Sequence, residues 1–448
     1  LRLRGSGRQY RLGQNKDPDA ELPYWEVEDY VRQIDLQNRR WRLTQLRTSA
    51  FLTGNPAYKQ ERIAGLDGDV AYTIGGDGTA RRAGEQAARD GLAEYYHHPV
   101  ALVQLAQAEG STVGSVRQEA GATVVDITSP GGDTYTMHID PETNFSTKIV
   151  SAGYNSNLGD VTLTTEFDDY QETGGLGGFQ ARLTLPRRFS TRVDEFPTWD
   201  LRVTVETNQE IDDLTAPENA KSAPPPEFQA NVQVEEVADG VWLLAGQSHH
   251  SVLIEFADYL ALFEAPQNDF RTLAVIERAR ELQPDKPLRY LINSHHHFDH
   301  SGGVRAAVSE GLTIITHETN APFFREIVAR PHALQQDALA RNPQDLHLEL
   351  ITADDVYELG DSRRTLRLVR IFEDAHSDGI LIGHLVRERI LIEADAYSPS
   401  ARTAPFAANL LRNVQDLDWP VDRIVPLHGA VVDFAALEEA VEEEAKRR

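Results

Sequence analysis

Between Ser294 and Gly303 the chain reads Ser-His-His-His-Phe-Asp-His-Ser-Gly-Gly. Metal-capable side chains at 295, 297, 299 and 300 crowd one short stretch directly after Leu288–Ile292, an apolar run with the length of a buried strand. Alternate residues of an extended segment point the same way, so His295 and His297 present both imidazoles in one direction. Asp299 and His300 then turn toward a neighbouring point. Gly302 and Gly303 permit close backbone approach and entry to a following helix. A solvated histidine tract is the bland alternative, and the strand–loop–helix context weighs against it.

The elements around this loop alternate. Ser251–Phe256 and Tyr259–Phe263 have a hairpin pattern, and Asn268 or Asp269 is placed to cap a helix with Leu273, Ile276, Ala279 and Leu282 on one face. Further strands are predicted at Leu312–Thr316, Thr365–Phe372, Ile380–Leu385, Arg389–Ile392 and Arg423–Val425, with a last helix opening at Asp433. Upstream, Ala216–Glu227 carries three consecutive prolines, which favour an extended spacer over a packed element. A boundary near residue 222 therefore divides the chain into 1–222 and 223–448. In the first part Pro23–Leu46 reads as a helix, with Trp25, Val27, Tyr30, Val31, Ile34 and Leu36 as its stripe. Antiparallel strands are predicted at Thr123–Thr128 and Thr134–Ile139 around a Ser129–Asp133 turn, and at Asp160–Phe167, Gly178–Leu185 and Trp199–Val205. The fold class is α/β, with an N-terminal α+β domain whose curved antiparallel sheet cradles a helix. In outline that domain is similar to periplasmic lipoprotein carriers.

Composition narrows the functions. The 448 residues carry a formal charge of −26, which argues against a nucleic-acid backbone or an anionic membrane as the main partner. No apolar run is long enough to span a bilayer, so no membrane span is expected. There is no cysteine, hence no disulfide, thiolate ligand or cysteine nucleophile. The chain starts at Leu1 without an apolar signal-peptide core and reads as a processed chain, periplasmic or secreted, with the cytoplasm left open.

The motif His295-x-His297-x-Asp299-His300 resembles the signature of the metallo-β-lactamase superfamily, and its longer form is similar to the glyoxalase II and lactonase branches. The resemblance spans about residues 229–445 and implies an αββα sandwich. It also implies the remaining ligands, His376, Asp395 and His428, each after a predicted strand. Carried over, it places His295, His297 and His376 on a first metal and Asp299, His300 and His428 on a second, with Asp395 bridging. Such donors suit two zinc ions and also admit iron or manganese. The expected reaction is hydrolysis, a metal-bridged hydroxide attacking an ester, lactone, thioester or amide (β-lactam included) carbonyl of a small-molecule substrate.

Asp299 is expected to orient the nucleophile, Tyr397 to assist the leaving group, and His249 or His250 to line the pocket, with His250 taken as the catalytic candidate. The resemblance also implies that Glu264, at a strand end where relatives often carry an acidic residue, is outer support for a ligand. His296, His317, His332, His347 and His384 read as structural, His97-His98-Pro99 as a loop, and Asp67-Gly-Asp69 and Gly75–Gly78 as turns. Tyr154, Tyr170 and Trp199 read as core or as a lipophilic groove. The first domain is expected to shape the pocket, hold an apolar substrate portion or mediate a homodimer. Two alternatives remain: a mononuclear iron persulfide dioxygenase, and a hydrophobic-ligand carrier with a metal-stabilised scaffold.

Overall fold

The structure is a computed structural model; it describes the chain apart from residues 51–58, 174–182, 208–210, 227–230, 353–354, 402 and 448. The chain forms two compact units. The first comprises Leu1–Leu12, Leu22–Gly153 and Val161–Glu227; the second comprises Gly13–Glu21, Tyr154–Asp160 and Phe228–Arg448.

An extended antiparallel sheet dominates the first half. Its order runs from Ala80–Arg82 through Val70–Ile74, Lys59–Asp67, Arg40–Ser49, Tyr24–Asp35 and Arg2–Tyr10 to Phe196–Glu206. It continues through Thr184–Val193, Gly159–Glu172, Ser146–Asn155, Thr134–Ile139 and Ala122–Thr128 to Thr112–Val113, with Arg117–Glu119 beside Ala122–Thr128. Helices Glu85–Tyr96 and Pro99–Gln107 supply Tyr95, Tyr96, Leu102 and Leu105 to a core with Ile34, Trp41, Leu66 and Ile149.

Two expectations are corrected here. Pro23–Leu46 is not a helix but the two paired strands Tyr24–Asp35 and Arg40–Ser49. A bulge between Val27 and Asp29 inserts one residue, so that Val27 and Tyr30 both face inward. That three-residue spacing imitates a helical stripe. Nor does the spacer stretch remain unpacked, because Glu218–Ser222 is helical and Ala216 and Ala220 are buried with Val70, Tyr72 and Ala80. His97 and His98 form the expected loop, a short turn between two helices, in which His98 Nδ1 accepts the Val100 N–H and Pro99 opens the next helix. Of the predicted strand Gly178–Leu185, residues 178–182 lie outside the described residues.

The second half stacks two sheets. One runs in the order Gln233–Ala238, Val241–Ala245, Ser251–Glu255, Leu260–Phe263, Leu288–Ile292, Thr313–His317 and Leu348–Ile351. The other runs Tyr357–Gly360, Thr365–Arg370, Leu381–Leu385, Ile390–Glu393, Arg423–Pro426 and Val432–Asp433. Strands such as Val252–Ile254 and Leu260–Phe263 are buried on both faces, which explains their unbroken apolar runs. Between the sheets lie Leu243, Ile254, Phe263 and Ile292 against Leu366, Leu368, Leu381 and Ile392. Helices Asp269–Leu282 and Val304–Ser309 pack on the first sheet's side, and Ala407–Asp416 and Ala435–Arg447 on the second's, burying Leu410, Val414 and Leu437. The layers are αββα. Among the described residues no helix is long and apolar enough to cross a membrane.

Candidate metal centre

Strand direction gathers one edge of this sandwich into a site. Leu260–Phe263 is parallel to Leu288–Ile292, and Ile390–Glu393 to Arg423–Pro426, so Glu264, the 293–300 loop, Asp395 and His428 leave their strands at one end. Thr365–Arg370 and Ile390–Glu393 are both antiparallel to Leu381–Leu385, which brings His376 to the same end. Ser251–Glu255 runs the other way, so its start, preceded by His249, lies there too. The Leu381 N–H donates to the Ser294 carbonyl and ties the two sheets beside the loop. At Gly303 a Cβ would lie 1.8 Å from Thr272 Oγ1, so only glycine admits this packing.

Two groups of donor atoms result, each with its atoms within 4.8 Å of one another: His295, His297, His376 and Asp395, and His249, Asp299, His300 and His428. Asp395 stands between them. Its Oδ2 is 2.8 Å from His376 Nε2 and 3.2 Å from His300 Nε2, while its Oδ1 is 2.8 Å from His428 Nε2. His249 Nε2 lies 3.1 Å from Asp299 Oδ2.

Hydrogen bonds to the outer nitrogens reveal what the inner ones face. His300 Nδ1 is 2.9 Å from Glu264 Oε2, and His428 Nδ1 is 2.9 Å from the Ser248 carbonyl. A carboxylate and a carbonyl only accept, so both Nδ1 atoms carry hydrogen. In neutral rings the two Nε2 lone pairs then confront each other at 3.1 Å, which is repulsive unless a cation or a proton sits with them. His297 donates from Nε2 to the Asn15 carbonyl at 2.8 Å, leaving Nδ1 bare. His295 Nδ1 lies 2.9 Å from Ser294 Oγ, which itself donates to Glu264 at 2.5 Å, so Nε2 is bare. His295 Nε2 and His297 Nδ1 are buried without a hydrogen-bond partner, and His376 Nε2 faces Asp395 Oδ2 at 2.8 Å. Inward lone pairs on rings whose outer N–H groups are engaged are the arrangement metal ligation requires. The residues fit two cations.

Charge follows the same logic. Burial lowers His295 and His297 well below the ordinary imidazole range. At His300 burial also lowers, but Asp395 and Glu264 overcome it and hold the metal-free ring well above that range. Asp395 stays well below the carboxylate range despite burial, because His300 and His376 face it. Glu264 (φ 83°) and Asp395 (φ 58°) both adopt left-handed backbone, strain held by these interactions.

The structure brings His295, His297, Asp299, His300, His376, Asp395 and His428 together, and His249 with them. His250 and Tyr397 are not among these donor atoms. His250 Nδ1 accepts from the Gly246 N–H, and the buried Tyr397 hydroxyl donates to the Ala436 carbonyl at 3.1 Å. Glu264, expected as outer support for a ligand, contacts His300, Ser294 and Asn293. Elsewhere His384 stacks on Trp419 and bonds the Pro420 carbonyl, and His332 meets Tyr154. Trp199 packs against Tyr30, and the Tyr170 hydroxyl donates to the Ser146 carbonyl. Ser294 and the Asn15 carbonyl were missed; the first sits beside the motif, the second has no local signal.

Residues 245–367 match the family model described as the metallo-beta-lactamase superfamily. With the αββα layers around it, the second half has the metallo-β-lactamase fold. Among solved structures the chain is similar to a metallo-beta-lactamase from Pontibacter korlensis, at 14% identity and TM-score 0.39, covering 48% of this chain and 99% of that one. It is similar to one from Hirschia baltica at 16% and 0.37, covering 48% and 97%. A third, from Erythrobacter litoralis, stands at 17% and 0.37, covering 48% and 96%. No curated protein matches the sequence.

Proposed function

We propose that the second half is a binuclear metallohydrolase, with zinc at both sites, acting on the carbonyl of an ester, lactone, thioester or amide. The observation that carries this reading is the pair of donor groups sharing Asp395, with bare nitrogens turned inward. Bound cations would supply Lewis acidity toward a carbonyl oxygen and activation of water. His295, His297 and His376 would hold one cation, and Asp299, His300 and His428 the other, with Asp395 between.

Asp299 is the group of this chain placed to handle a proton. Its Oδ2 is held by His249 at 3.1 Å and its Oδ1 by Gln14 Nε2 at 2.8 Å. Interaction with His249 and His300 keeps it well below the ordinary carboxylate range although burial opposes this. Ionised and fixed, it can orient an attacking water and accept its hydrogen bond. His249 steadies Asp299 and lies against the His428 ring, 4.1 Å between centroids.

The test is turnover of a panel of chromogenic esters, thioesters, lactones and β-lactams. Hydrolysis that disappears with chelator, returns with zinc and is absent from His297→Ala supports the reading. A metal-loaded protein that hydrolyses none of them, carries one iron and consumes oxygen with a persulfide overturns it.

A further inference from the structure

Residues Gly13–Glu21 precede most of the first sheet in sequence, yet they pack as part of the second unit. There they lie on two of the histidine-bearing loops, those carrying His297 and His376. The Gly13 carbonyl accepts from Phe298 N–H at 3.2 Å, and Gln14 Nε2 donates to Asp299 Oδ1 at 2.8 Å. The Asn15 carbonyl accepts from His297 Nε2 at 2.8 Å. Across the site, the Lys16 carbonyl accepts from Asp378 N–H at 2.8 Å and Lys16 Nζ pairs with Asp378 Oδ1 at 2.9 Å, two residues beyond His376.

The segment is itself held. The buried Asn15 side chain donates to the Asp17 and Pro18 carbonyls at 2.7 and 2.8 Å, folding the chain back so that its own carbonyl points at His297. Gly13 has φ +71°, and a Cβ there would lie 2.2 Å from the Phe298 ring. Both features fix the height of the segment over the loop.

We infer that residues 13–16 are a strap that completes the metal centre from more than two hundred residues upstream. Gln14 is a positioning residue: it fixes the oxygen of Asp299 that faces away from His249 and so aims the carboxylate. The Asn15 carbonyl fixes the tautomer of His297, leaving Nδ1 for a cation. This rests on the metal-binding reading above. Outer partners of this kind typically change metal affinity about 10–100-fold when lost.

The experiment uses the full chain. Wild type, Gln14→Met and Gly13→Val are stripped of metal and titrated with zinc against a chromophoric chelator. Cobalt absorption spectra and the melting temperatures of the metal-free proteins are recorded alongside. Gln14→Met keeps the side chain's length but removes its donor. It is expected to weaken one of two zinc sites about 10–100-fold and shift the cobalt spectrum, with the metal-free melting temperature unchanged. Gly13→Val displaces the strap and is expected to weaken both sites. Wild type binding two zinc ions with Gln14→Met and Gly13→Val titrating identically overturns the strap alone. Wild type that takes up no metal overturns the metal reading and the strap with it.

Discussion

Buried histidines occur in both units, in sequence runs that look alike, and they differ in where their nitrogens point. In the first unit His97 places Nδ1 2.9 Å from Thr165 Oγ1 and Nε2 2.8 Å from Ser151 Oγ. Hydroxyls donate or accept as needed, so either tautomer is satisfied and no ligand is called for. In the second unit the outer nitrogens meet groups that can only accept, directly at His297, His300 and His428 and through Ser294 at His295, and the inner ones meet each other. The difference teaches that burial of histidine says little about function. What separates a ligand shell from a core is a fixed tautomer with its lone pair turned toward other lone pairs.

The largest effect expected from that contrast is at Asp395. Asp395→Ala removes the group common to both donor sets and should abolish metal retention, measured by elemental analysis after dialysis. His97→Ala should leave metal content at the wild-type level. Retention of metal by Asp395→Ala would break the comparison. Next comes Glu264→Gln, which disturbs the partner of His300 and the Ser294–His295 relay. Zinc affinity should drop about 10–100-fold in a competition titration, with all direct ligands intact.

His97→Ala tests the other side. Leaving Thr165 and Ser151 unpaired should cost about 1–3 kcal/mol in urea unfolding. The smallest effect is on pH dependence. Burial lowers His97 to about 4. Above the ordinary imidazole value of 6.5 both folded and unfolded states hold the ring neutral; as pH falls below it the unfolded chain takes up a proton that the folded one refuses until about 4. Stability is therefore lost across that window. His97→Gln, which keeps a donor and an acceptor but does not titrate, should show a flatter profile from pH 6.5 to 4. A slope equal to that of wild type would contradict the assignment.

How much was legible follows the same divide. In the second half the strands are buried on both faces and read as short apolar blocks. The metal-capable residues stand immediately beyond them, so Leu288–Ile292 and the residues after it were placed from sequence. In the first half the sheet is half-exposed, and its alternation is interrupted where it bulges. Val27 and Tyr30 are the clearest case, since one inserted residue turned a strand into an imitation helix. Within the site, Glu264 was legible through the family resemblance, which puts an acidic residue at the end of that strand. Gln14 and Asn15 were not, because their contacts join residues far apart in sequence with no periodic or motif signal. His250 and Tyr397 stand outside the donor groups, because proximity in sequence to a ligand does not decide which way a side chain turns.

The central claim is that these inward-facing nitrogens hold metal, and elemental analysis of the purified 448-residue chain beside His428→Ala tests it most directly. Near two zinc ions per chain in the wild type, falling toward one in the variant, is the expected result. A wild-type protein without bound metal, or a variant that retains the full complement, would contradict it.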